Sequence, residues 1–228
     1  MRHWLIRPEH SATFAAAMET TLDVYQHPYD AAHPVVCFDE CSKELQAHVT
    51  PPRVDRGGTR VDPHYRRGGM TPLHVWIEPR TGRMGASTTS QRTRVEFAEA
   101  MRELVAQFPA AEQITVVLDN LNTHTVSALY AAFPPAEAAA IRRRIQLVHI
   151  PVHASWLNIA EVASSVLSRA VLAGQRIATR AELEDRLVAW IAEHNTDPHP
   201  VDWTWDVDKA RAQIPRVYPI PLTKQDKR

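Results

Sequence analysis

The spacing of apolar residues changes period repeatedly along the chain, and each change marks an element. Pro34-Val-Val-Cys-Phe-Asp39 and Ile114-Thr-Val-Val-Leu-Asp119 are short runs rich in β-branched residues, and Ile145 to Ile150 is a third. Runs of that length and composition predict buried sheet strands. Leu73 to Glu78 and Arg83 to Thr88 flank the turn Pro79-Arg-Thr-Gly82, and Leu45 to Val49 alternates apolar with polar. That alternation predicts a separate antiparallel strand, reached from the first by a short turn at Glu40 to Lys43. A helical period governs Glu9 to Tyr25, with Phe14, Ala17, Met18, Thr21, Leu22 and Tyr25 on one face, and Thr93 to Phe108, with Val95, Phe97, Met101, Leu104, Val105 and Phe108. Shorter helices are expected at 125–132 and from Pro134-Pro135 to Arg144, and an amphipathic one at Ala181 to His194.

One further helix organises the rest. Between His153 and Arg169 the only formal charge is Glu161, set among Trp156, Ile159, Ala160, Ala163, Val166, Leu167 and Ala170 at helical spacing. The pattern predicts a core-facing helix capped by Ser155. An ionised carboxylate on such a face costs several kcal/mol unless it is paired or bound to metal. No Lys or Arg lies three or four residues to either side, so the partner must come from elsewhere in the chain. Asp39 and Asp119 each end a predicted strand. Two strand-end Asp residues with a Glu on a later helix make an arrangement suited to holding two divalent ions about 3.5 to 4 Å apart for phosphoryl transfer.

The order is a run of antiparallel strands, a helix, and then strand–helix–strand units that need crossovers and so add parallel strands. This predicts an α/β fold: a ribonuclease H-like mixed five-stranded sheet with helices on both faces. Three parts are expected. Residues 1–33 form a helical lead packed on the core, 34–195 the main domain, and 196–228 an irregular Pro- and Trp-containing tail pinned by Trp203, Trp205 and Tyr218. Pro51 to Gly69 reads as a long loop carrying Arg53, Arg56, Arg60, Arg66 and Arg67 against two Asp, which suits phosphate contact.

Composition narrows the picture. An apolar fraction of 44% over 228 residues is ample for one large core, and the formal net charge is zero, so nucleic-acid binding would have to use local patches. No run approaches a membrane span and the start lacks a secretory signal, so a cytosolic location without a membrane partner is expected. Cys37 and Cys41 bracket Asp39 and read as reduced thiols. A zinc site joining them to His149 and His153 is disfavoured, because Pro151 breaks any helix between the two His. The chain also lacks a Gly-rich phosphate loop.

Val35-Val-Cys-Phe-Asp-Glu40, Val117-Leu-Asp-Asn-Leu-Asn-Thr-His124 and His153-Ala-Ser-Trp-Leu-Asn-Ile-Ala-Glu161 together resemble the DDE transposases of the six-thirty family of bacterial insertion sequences, relatives of the mariner elements. The likeness runs from about Phe14 to Tyr218 and includes Met18-Glu19 and Tyr25-x-x-Pro28-Tyr29-Asp30. It implies that Asp39, Asp119 and Glu161 are the catalytic, metal-binding triad, with 79 and 41 residues between successive acids. Asn120, His124 and His153 would support it. The resemblance further implies two Mg²⁺ ions, replaceable by Mn²⁺, that activate a water or a 3′ hydroxyl and stabilise the leaving oxygen. The partners it implies are transposon-end and TA-containing target DNA, with a homodimer on DNA and a separate amino-terminal recognition polypeptide as further options.

The chain departs from the family pattern in three ways. Family members carry helix-turn-helix modules ahead of this region, and here only one amino-terminal helix is expected. Val152 and Ala154 stand where Lys and Gly are expected. The length also suits one frame of a two-frame element or a truncated relic. Two alternative functions follow: a catalytically silent DNA-binding or dimerising module, and a nuclease without joining activity.

Overall fold

The structure is a computed structural model and describes residues 9–220. Helix α1 (Ala12–Gln26), capped by Ser11, leads into strand β1 (Val35–His48). A small hairpin of β2 (Arg53–Asp55) and β3 (Gly58–Arg60) follows, then β4 (Tyr65–Ile77) and β5 (Met84–Thr88). Helix α2 (Arg94–Gln107), with a Thr93–Glu96 capping box, precedes β6 (Ile114–Leu118), α3 (Ser127–Ala132), α4 (Pro135–Arg144) and β7 (Ile145–His149). After a 3-10 turn at Ser155–Leu157 come α5 (Ala160–Leu167), α6 (Arg180–His194) and α7 (Val207–Gln213). The main sheet has the order β5-β4-β1-β6-β7, antiparallel from β5 to β1 and parallel from β1 to β7. The expected mixed five-stranded α/β sheet is therefore present.

Strand alternation splits the core in two. Cys37, Val75, Ile77, Val117 and Val148 face α1, α5, α6 and the carboxyl-terminal segment. Val36, Phe38, Val116 and Leu118 face Phe97, Met101 and Leu104 of α2 and the residues of α3 and α4. Helices thus cover both faces, as the pattern predicts.

Four expectations need correction. First, Glu40 to Lys43 is not a turn. It continues β1 and pairs with His74, Leu73, Pro72 and Thr71 of β4, and a bulge between Glu44 and Gln46 shifts the register beyond it. Glu-Cys-Ser-Lys lacks the Gly, Asn or Pro that a tight reversal requires. Second, Pro51 to Gly69 is not a structureless loop. The far halves of β1 and β4 pair through His48 and Tyr65 and, with the β2–β3 hairpin at their tip, form a protruding arm whose residues from Val49 to Met70 are almost all exposed. Third, Ser155 makes no capping bond and opens the 3-10 turn instead. Fourth, the described part of the tail, 196–220, is not irregular throughout: Asp206 caps α7, whose Ala210 is buried, and the last eight residues lie outside the described ones.

The tail is anchored as expected. The Trp203 ring meets Tyr25 edge-on at 5.0 Å and Trp205 meets Trp156 at 5.2 Å. Its backbone also crosses the β4–β5 turn, where Gly82 has φ +79° and a Cβ would lie 2.1 Å from the His199 carbonyl oxygen. Only glycine fits that crossing. Among the described residues no helix is long and apolar enough to cross a membrane.

Candidate active site

Parallel pairing of β1 with β6 ends at Cys37 and Val117, and the two strands part just before Asp39 and Asp119. The two acids therefore stand at the carboxyl edge of adjacent strands, where an α/β sheet opens a crevice. Asp39 shares the strand face of Cys37 and so points to the α5 side. Its carboxyl is pushed up to about 6, first by burial and then by the charges of Glu161 and Asp119, against a hydrogen bond from the Glu40 N–H. The three acids thus share one electrostatic site.

Glu161 differs from expectation in one respect: it is exposed. Because α5 begins only at Ala160, its buried stripe is Ala160, Ala163 and Leu167, and Glu161 falls beside it in the first turn. A carboxylate there interacts favourably with the helix dipole. The start of α5 is tied to β1 by Asn158, whose buried side chain donates to the Phe38 carbonyl (2.9 Å) and accepts from the Ala160 N–H (3.1 Å). Tyr25 adds a second tie by donating to the Leu157 carbonyl at 2.7 Å. Asn158 therefore fixes Glu161 relative to the strand that carries Asp39.

On the opposite face lies a network that the sequence pattern did not single out. Glu40 follows Asp39 and points to the α2 side, where its side chain is 5% exposed. Its Oε1 lies 3.1 Å from His74 Nε2 and 3.4 Å from His124 Nε2, and Arg92 Nε stands 3.8 Å from Oε2. His124 Nδ1 in turn lies 2.7 Å from Asp119 Oδ1, and its ring packs on Phe97 and Phe38. Burial alone would lower the His124 pKa, yet Asp119 and Glu40 outweigh it and hold the ring at about 9. Burial would likewise raise Glu40, but His124 and His74 bring it to about 2. The His124 contact, opposed by partial burial, also holds Asp119 below the usual carboxylate range. A charged His thus bridges two carboxylates and orients Asp119.

The remaining expected residues divide. Asn120 donates to the Ile150 carbonyl and so ties the loop after β6 to the end of β7. His153 adopts a left-handed backbone, φ +63°, and is exposed. With Asn120, His149, Ser11 and Thr13 it lines an open cleft of about 370 Å³ beside the sheet edge. Arg53, Arg56, Arg60, Arg66 and Arg67 all lie on the arm. Arg60 pairs with Asp55 (2.8 Å) and Arg67 with Glu44 (3.2 Å), whereas Arg53, Arg56 and Arg66 have no ion-pair partner among the described residues. The two cysteines are unpaired, and burial pushes the Cys37 thiol up to about 12.

Among the described residues, no three His, Cys, Asp or Glu side chains converge closely enough to hold a metal ion as they stand. The donor set nevertheless suits one. It offers carboxylate oxygens, the ligands hard divalent cations prefer, and Asp39 bears a charge repulsion that a cation would relieve.

A sheet with three antiparallel and two further parallel strands, helices on both faces and acids where β1 and β6 part defines a ribonuclease H-like domain. Several solved structures share the fold. The Mos1 transposase paired-end complex with left transposon end matches at 15% identity and TM-score 0.56, over 84% of this chain and 58% of that one. The Mos1 strand transfer complex matches at 15% and 0.54, over 84% and 57%. A pre-cleavage Mos1 transpososome matches at 14% and 0.52, over 95% and 63%. This chain therefore spans about 57–63% of the length of those proteins. No curated protein sequence matches it significantly. The family described as DDE superfamily endonuclease matches residues 34–184, and the chain belongs to that family.

Proposed function

We propose that this chain is the catalytic domain of a transposase of the six-thirty type, which cuts DNA at insertion-sequence ends and joins the freed 3′ hydroxyls to TA-containing target DNA. The observation that carries this reading is geometric: Asp39 and Asp119 follow directly on the point where two adjacent parallel strands part, and Asn158 ties the start of the helix bearing Glu161 to the same strand. The family match and the Mos1 fold likeness support it.

In this reading Asp39, Asp119 and Glu161 hold two divalent cations, Mg²⁺ or Mn²⁺, the ions named for two of the Mos1 structures. Bound cations would supply Lewis-acid activation of the attacking hydroxyl and charge stabilisation of the leaving oxygen. The protein's own part is positional. Asn158 sets the Glu161 helix against β1, His124 holds Asp119 through its Nδ1 contact, and Glu40 keeps that ring charged and fixed. Pre-set acids avoid reorganisation during an in-line displacement.

The arm is the proposed DNA-backbone contact. Arg53 lies directly opposite Arg60 in the hairpin register. Asp55 neutralises Arg60 within the hairpin, which leaves Arg53 as the unpaired cation of that pair. Arg53, Arg56 and Arg66 are available to phosphate oxygens, which gives affinity without sequence preference.

The test is a strand-transfer assay with Mn²⁺, a precleaved transposon-end duplex and a TA-containing target, run beside Asp119→Asn. Joined product that vanishes in the variant supports the proposal. Nicking without joining would assign a nuclease instead, and duplex binding with neither would assign a silent DNA-binding module.

A further inference from the structure

The arm is tied at its root to the segment that follows α5. A π turn, Ser168–Leu172, continues directly from α5, so an unbroken rod runs from Glu161 to Leu172 before the backbone opens at Ala173 and Gly174. The arm meets the end of that rod and the residues just beyond it. Lys43 donates to the Leu172 carbonyl (3.3 Å) and the Gln46 N–H to the Ile177 carbonyl (2.8 Å). Gly68 approaches so closely that a Cβ there would lie 3.1 Å from Leu45 Cβ and 3.3 Å from the Ala178 carbonyl oxygen.

Arg176 makes most of the side-chain connection. Its guanidinium donates to the carbonyls of His64 (3.0 Å) and Pro63 (3.1 Å), lies 3.3 Å from His48 Nδ1 and covers the Tyr65 ring at 5.6 Å. One planar fork thus grips both strands where the β1–β4 ribbon ends and the β2–β3 hairpin begins. A lysine could keep the charge but could not reproduce the fork or the stacking.

We propose that Arg176 is a positioning residue that couples the arm to the helix carrying Glu161, so that an arm seated on a DNA backbone steadies the third acid. The proposal rests on the reading of the arm as a DNA contact. A site whose third acid sits at an exposed helix start gains from such a restraint, because small misplacements of catalytic groups cost large factors in rate.

The test combines amide hydrogen exchange with nicking by the full chain, comparing the wild type with Arg176→Ala, Arg176→Lys and the control Arg186→Ala. Arg186 pairs with Glu182 and Gln175 and, among the described residues, makes no hydrogen bond or ion pair to the arm. Generic duplex at low salt should slow exchange of residues 160–172 about threefold or more in the wild type and the control, and not in Arg176→Ala. Duplex affinity should change less than about threefold in Arg176→Ala, while Mn²⁺-dependent nicking at saturating duplex falls about tenfold and Arg176→Lys lies between. Retained protection of 160–172 in Arg176→Ala, or a nicking loss accounted for by affinity or by melting temperature, overturns the coupling. Should the wild-type chain bind no duplex, the functional reading fails by itself. The coupling is then decided on the DNA-free protein, where Arg176→Ala must raise exchange of 160–172 about threefold or more relative to Arg186→Ala. A rise confined to the arm overturns it.

Discussion

Asp39→Asn should stabilise this protein in the absence of metal. Asp39 has a folded-state pKa of about 6 against an ordinary 3.8, raised first by burial and then by Glu161 and Asp119. An acid with a raised folded pKa contributes favourably below its unfolded value, and that contribution is lost as pH rises through the folded value. At pH 7.5 the ionised group is therefore a net cost, of roughly 3 kcal/mol at face value and about 1–3 kcal/mol after allowing for its partial solvation. Asparagine removes the charge and keeps an oxygen to accept the Glu40 N–H. The expected gain in melting temperature in EDTA at pH 7.5 is roughly 2–10 °C for a chain of this size, shrinking as pH falls toward 4. Mg²⁺ at about ten times its dissociation constant should stabilise the wild type by about 1.4 kcal/mol and leave the variant nearly unmoved. Differential scanning fluorimetry over pH and Mg²⁺ reads both effects. An Asp39→Asn protein that melts lower in EDTA, or gains equally at pH 4.5 and 7.5, would refute the account of the three acids as a mutually repelling cluster.

The buried network makes its own pH prediction. His124, raised to about 9, contributes fully below 6.5 and less as pH climbs through 9, while Glu40, lowered to about 2, contributes fully above 4.5 and less as pH falls through 2. Glu40→Gln should therefore cost the most between pH 4.5 and 6.5, on the order of 3 kcal/mol, and less at pH 9; urea midpoints differing equally at pH 6 and 9 would contradict this. Asn158→Ala should cost about 2–4 kcal/mol, because it leaves the Phe38 carbonyl and the Ala160 N–H unpaired in the core, and it should lower any nicking rate more than DNA affinity. Changing Arg53, Arg56 and Arg66 together to Ala should reduce the slope of log affinity against log salt by about 2–3, measured by anisotropy with random duplex, whereas Arg60→Ala and Arg67→Ala should each change it little.

The placement of the three acids was legible because each breaks an apolar run: an Asp following a β-branched strand and one Glu in an otherwise uncharged helix are visible without coordinates. So was α2, whose Phe97, Met101, Leu104 and Val105 recur at helical spacing. Glu40 was not, since its neighbours Cys, Ser and Lys are polar enough to mimic a reversal, and its buried partners His74 and His124 lie 34 and 84 residues away. The arm was missed for a related reason. Its Pro, Gly and Arg content reads locally as loop, and only pairing between Gln46 and Arg67, or His48 and Tyr65, makes it a ribbon. Strand pairing between distant segments leaves a weak local signature when both faces are exposed. Asn158 was hidden because a buried Asn before a helix resembles any cap until the Phe38 carbonyl is found above it.

Pleat parity explains how one dipeptide can serve both faces of the sheet. Asp39 looks to α5 and Glu40 to α2, so a slip of one residue in β1 would exchange them, placing Glu40 among the acids and stripping His124 of its partner. The register is secured just before the pair. Val36 and Phe38 fill one core, Cys37 fills the other, and Cys37 is matched to Val117 on one side and Ile77 on the other. The irregularity in β1 falls after the pair, at Glu44 and Gln46, where only the arm is affected. A bulge there bends and twists the ribbon without moving either acidic side chain to the wrong face. One strand thereby fixes the facing of Asp39 and Glu40 over its first half and supplies the arm from its second; Asn158 ties the first half to the start of α5, and Lys43 and Gln46 tie the second to the Leu172 and Ile177 carbonyls beyond it.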